Sequence, residues 1–135
     1  RRLQNGETKM TKFSMAEAAE YGEDEIVKIM EAEYPETTKA FKDIQRSQYI
    51  LFCRKQHDYG PKNISVGTEL KTLNEVRVAM TGLWFRMNDK IQRARNILMG
   101  ERKTAIADEP LEDAFLDVSN YGTMATIVKQ DKWGK

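Results

Sequence analysis

Between Thr72 and Met99 the apolar side chains Val76, Met80, Leu83, Met87, Ile91, Ala94 and Leu98 recur at intervals of three and four. That interval is one face of an α-helix. Thr72 with Glu75 has the form of a capping box at its start, and Gly100 is a natural stop at its end. Three prolines, Pro35, Pro61 and Pro110, divide the rest at junctions where a helical protein tolerates them.

From Pro35 to His57, Phe41, Ile44, Gln48, Leu51 and Phe52 form the inner stripe of a second long helix, which Gly60 and Pro61 end. A third begins near Pro110, capped by Asp108 or Glu109, with Leu111, Phe115, Val118, Tyr121 and Ala125 facing inward. Gly60 to Lys71 is rich in turn residues and reads as an exposed or ligand-facing loop. Ahead of Pro35, Ser14 with Glu17 resembles a capping box, and Gly22 precedes the spacing Ile26, Val27, Met30, Tyr34, which predicts two short helices. Arg1 to Lys12 shows no period and reads as a loose lead-in. The expected organisation is a lead-in with short helices over 1–34, a helical domain over 35–130 and a tail over 131–135.

No strand alternation, internal repeat or low-complexity tract stands against an all-α reading, and a small helical bundle of three long helices is the economical solution. The apolar faces are broad for 135 residues, so part of them is expected to be buried between subunits, as in a dimer. Lysines and arginines number 22 against 21 acids, which lacks the broad positive field that duplex nucleic acid or an acidic membrane demands. Charges break every apolar run before it could span a bilayer. Cys53 is the single cysteine and cannot form an internal disulfide, which fits the cytoplasm.

Three polar clusters carry the chemistry. Arg86, Asp89, Lys90 and Arg93 gather both signs on one helical face. They read either as a solvated surface laced with ion pairs or as cations for phosphate oxygens, with Asp89 orienting a metal or base. Glu109, Asp113 and Asp117 are successive i, i+4 neighbours, with Glu112 beside them and Asn120 close behind. Like charges at that spacing destabilise a helix unless cations or a metal compensate. Either the basic helix pairs with them, or Mg²⁺ sits between Glu112, Asp113, Asp117 and a substrate's phosphates. Lys55, His57, Asp58 and Tyr59 sit where a helix enters a loop and could grip a base or phosphate, or simply finish the helix. Cys53 and His57 alone fall short of a zinc set. Trp84 and Phe85 read as core or subunit contacts. No phosphate-cradling glycine loop, serine elbow or dinucleotide fingerprint is present.

The segments KQHDYG (Lys55–Gly60), GLWFRMNDKIQR (Gly82–Arg93) and DEPLEDAFLDVSNYG (Asp108–Gly122) resemble, in order, the family called nucleotide modification associated domain 1, found in phage and bacterial genomes. The resemblance covers about half the chain and excludes the stretch before Pro35. It implies an all-helical protein linked to nucleotide metabolism or base modification, with a site drawn from the three clusters. A further analogy is to MazG-type all-α NTP pyrophosphatases, helical oligomers that hold Mg²⁺ with acidic helices. Their E-x-x-E is followed by E-x-x-D, whereas here Glu109-x-x-Glu112 is followed only by Asp117.

The resulting expectation is Mg²⁺-dependent hydrolysis of a nucleoside triphosphate. Asp89, Asp113 and Asp117 would be catalytic, Glu112, Asp113 and Asp117 would hold the metal, and Lys55, His57, Asp58, Tyr59, Arg86, Lys90, Arg93 and Asn120 would bind the nucleotide. The alternatives are a non-catalytic nucleotide or cyclic-nucleotide binder, and a phage structural or adaptor protein whose charged rows are ion-pair networks.

Overall fold

The computed structural model describes residues 20–100 and 103–135. The Ser14–Glu17 capping box and the lead-in before it lie outside the described residues. The fold is all-α: α1 (Glu23–Glu33), α2 (Pro35–Tyr59), α3 (Lys62–Ser65), α4 (Leu73–Met99) and α5 (Leu111–Lys129), with no strand among the described residues. None of these helices is long and apolar enough to cross a membrane. The chain divides into two compact units, one ending at Asp43 and the other running from Ile44 to Lys135.

In the first unit, three acids in the opening turn of α1, Glu23, Asp24 and Glu25, sit favourably at the positive end of the helix dipole. Pro35 then restarts the chain as α2, and Lys42 Nζ meets the Glu31 carboxylate at 2.5 Å, tying the two helices. Ile26, Val27, Met30 and Phe41 line an apolar groove between them, and no residue of α1 is fully buried.

The second unit is built on a hairpin of α4 and α5. The box at the start of α4 forms as its spacing predicts: Thr72 accepts from the Glu75 amide, and the Glu75 carboxylate accepts from the Thr72 amide. Ala79 and Leu83 of α4 pack with Met124 and Val128 of α5 in the buried core, while farther along α4 Lys90 meets Asp117 and Arg93 meets Pro110. The two helices are therefore antiparallel. Their turn is held by Arg93, whose guanidinium donates to Thr104 Oγ1 at 3.1 Å and to the backbone oxygens of Glu109 and Pro110. No side chain caps α5, whose N-cap is Pro110; Asp108 and Glu109 do not take that role. The inner face of α5 is also turned from expectation, with Ala114, Met124 and Val128 buried and Phe115 exposed.

The inward face of α2 departs furthest from its apolar pattern. Of the predicted stripe only Gln48 and Phe52 turn inward; Phe41, Ile44 and Leu51 are exposed. Gln48 Nε2 donates to the Leu116 carbonyl at 3.1 Å and the Gln48 carbonyl accepts from Asn120 Nδ2 at 3.4 Å, so an amide pair joins α2 to α5. Gly60, at φ 67°, adopts the left-handed turn that ends α2. The stretch after it is not all loop, since α3 buries Ile64 and Ser65. The tail is not loose either. Trp133 is buried, donates its indole N–H to the Pro61 carbonyl at 3.0 Å and packs edge-on against Phe52. Trp84 and Phe85 contact each other on the outside of α4, exposed rather than in the core.

Candidate functional site

A cleft of about 320 Å³ opens in the second unit between the C-terminal half of α2, α3, α4 and α5, within the size range of small-molecule sites. Helical spacing places its walls. On α2, Phe52, Lys55 and Tyr59 stand one turn apart on one face; on α5, Asp117, Asn120, Tyr121 and Met124 do the same; Arg86 enters from α4 and Asn63 from α3.

Five of the expected site residues thus meet in one place: Lys55, Tyr59, Arg86, Asp117 and Asn120. Each of the three clusters contributes. Lys90 stands directly behind, its Nζ 3.0 Å from Asp117 Oδ2 in a pair whose side chains are 29% and 18% exposed. The Asp117 carboxylate bonded to it raises Lys90 above the ordinary lysine range, against the opposing effect of burial. The acid in the cleft is therefore neutralised from behind. Among the described residues, Lys55 and Arg86 have no carboxylate partner within ion-pair distance. Arg86 makes one long hydrogen bond, 3.4 Å to the Asn63 carbonyl. The cleft accordingly presents net positive charge.

The other expected residues lie elsewhere. Arg93 is occupied at the α4–α5 turn, with Glu109 Oε2 at 3.8 Å. His57 and Asp58 face solvent and contact each other, Nδ1 to Oδ1 at 3.1 Å, outside the cleft walls. Asp89 and Glu112 are exposed, and Asp113, one turn ahead of Asp117, is half-buried but does not line the cleft. Among the described residues no three His, Cys, Asp or Glu side chains converge as a metal set. The Glu112, Asp113, Asp117 row runs along α5 without closing around a point, and it does not fit a metal held by protein groups alone.

Pattern reading missed Gln56 and Asn63, which add amides to the walls. Gln56 follows Lys55 on the inward face of α2. Asn63 carries a sharper signal available only in three dimensions: its Oδ1 is buried with no hydrogen-bond partner, a state costly enough to call for explanation. Phe52, Tyr59 and Tyr121 supply aromatic surface. Two cations, three amides and aromatic faces suit a planar ligand bearing phosphate, since guanidinium binds phosphate oxygens with two parallel hydrogen bonds. Among the described residues lining the cleft there is no serine, cysteine or histidine. Lys90–Asp117 between α4 and α5, and Arg93–Glu109 between α4 and the turn before α5, are ion pairs of the kind a purely structural role would use. That role leaves Lys55 and Arg86 unexplained.

Compared with protein-family models, curated proteins and solved structures, the chain matches none.

Proposed function

We propose that the protein binds a nucleotide at the cleft between α2, α4 and α5, with Arg86 and Lys55 on the phosphate and the amides of Gln56 and Asn120 beside the rest of the ligand. The observation that carries this reading is the convergence in one cleft of side chains from all three segments that resemble nucleotide modification associated domain 1. Two positive groups without carboxylate partners among the described residues, beside an acid already paired by Lys90, favour an anion over a cation as the occupant.

Calorimetric titration with nucleoside triphosphates, once with Mg²⁺ and once with chelator, tests it. Binding that persists in chelator with no product released is the expected result. No binding by any nucleoside triphosphate in either condition would overturn it.

A second reading, Mg²⁺-dependent hydrolysis of a nucleoside triphosphate, is favoured by one observation: the Asp117 carboxylate lies in the same cleft as Arg86. Magnesium often takes one or two carboxylates and completes its shell with water and substrate phosphates. Release of diphosphate or phosphate that stops in chelator selects it over simple binding. A homo-oligomer belongs to the same proposal, because Trp84, Phe85 and Leu98 leave a broad apolar outer face on α4. Light scattering reads the assembly state directly.

A further inference from the structure

Gln45, Gln48, Phe52, Lys55 and Tyr59 follow one another at alternating steps of three and four, so they form a single stripe along α2 that borders both hollows beside α5. Its C-terminal part lines the charged cleft. Its N-terminal part lines a second hollow of about 270 Å³, whose α5 wall includes Ser119, Thr123 and Ile127. Phe52, Asn120 and Met124 line both hollows, so the two are successive compartments of one seam.

Their chemistry differs. The first contains Lys55, Arg86 and Asp117; the second has no lysine, arginine, histidine, aspartate or glutamate in its walls. There Tyr49 stacks on Phe52 with ring centres 6.5 Å apart and planes inclined by 18°. The Gln48 carbonyl takes Asn120 Nδ2, which leaves Asn120 Oδ1 as an acceptor at the junction. Gln45, Ser119 and Thr123 stand at its exposed rim, with the Thr123 hydroxyl donating to the Ser119 carbonyl and the Gln48 amide to the Leu116 carbonyl, so polar groups edge the aromatic faces of Tyr49 and Phe52. Apolar faces edged by amides and hydroxyls suit a neutral planar ring, and the adjoining cations suit phosphate.

We propose that the two hollows are one site, in which the base of a nucleoside phosphate lies in the neutral compartment beside Tyr49 and Phe52 while its phosphates reach Arg86 and Lys55. This rests on the reading of the charged cleft as a phosphate site and adds the placement of the base.

The test is calorimetry of the full chain with the four ribonucleoside triphosphates and with inorganic tripolyphosphate, in chelator. Thr123→Trp and Gln45→Trp each fill the neutral compartment from opposite walls at partly or fully exposed helical positions, and Arg86→Met removes a cation from the other compartment. The expected result is at least a tenfold loss of nucleoside triphosphate affinity in both tryptophan variants with tripolyphosphate affinity unchanged, and weaker binding of both ligands in Arg86→Met. If either tryptophan variant melts as the unmodified protein does and binds nucleoside triphosphate equally well, the placement of the base is overturned while the phosphate site stands. If Arg86→Met leaves both ligands unaffected, the phosphate site itself falls.

Discussion

Replacing Lys90 by methionine keeps the aliphatic stem and deletes the charge that faces Asp117. The Asp117 side chain is only 18% exposed and its bond to Lys90 is 3.0 Å long. Exposed ion pairs contribute at most about 1 kcal/mol, and leaving one member of a buried pair alone costs about 3–5 kcal/mol. A pair at this intermediate depth is placed at about 2 kcal/mol. For a cooperative unit of this size that lowers Tm by roughly 10 °C. The clean assay is a double-mutant cycle, Lys90→Met and Asp117→Asn singly and together, by urea denaturation followed through circular dichroism.

The two changes should be coupled by about 1–2 kcal/mol. Additivity to within roughly 0.3 kcal/mol would show that the two side chains do not stabilise each other. The sign with pH follows from the direction of the shift. Lys90 is raised in the folded state above the ordinary value of 10.5, so its contribution is fully present below that value and is lost as pH rises through the higher folded one. The stability gap between the unmodified protein and Lys90→Met should hold at neutral pH and narrow only in that alkaline window.

Leu83→Ala removes the largest fully buried side chain of the core and should cost about 2–5 kcal/mol by denaturant titration; a loss below about 1 kcal/mol would place the core elsewhere. Thr72→Ala deletes half of the capping box of α4 and should cost about 1 kcal/mol, read as a Tm lowered by roughly 5 °C. An unchanged Tm would show that the box contributes nothing to folding.

The helices were legible because their ends carry local chemistry. Thr72 and Glu75 recognise each other across one turn, Gly60 and Gly100 stop helices, and prolines tolerate only the junctions. Faces were less legible. Phe41, Ile44 and Leu51 of α2 have the right spacing for a core stripe, yet it is Gln45, Gln48 and Lys55 that stand along the hollows beside α5. Periodicity reports that a helix has two sides and not which one a binding cleft will occupy. Trp133 escaped notice because five residues after a helix carry no period, while its indole finds a carbonyl seventy-two positions away. Within the clusters, spacing found Arg86, Asp117 and Asn120. It also offered Arg93, which lies on the same helical face but far enough along α4 to meet the turn instead of the cleft.

The most direct measurement is the affinity of Asp117→Asn for a nucleoside triphosphate in chelator, beside that of the unmodified protein. If the cleft is an anion site whose single acid is paired by Lys90, replacing that carboxylate by an amide should tighten binding by roughly fivefold, about 1 kcal/mol of electrostatic gain near a protein surface. Affinity that is unchanged or weakened would contradict the claim, and a weakened one would make Asp117 a direct contact of the ligand.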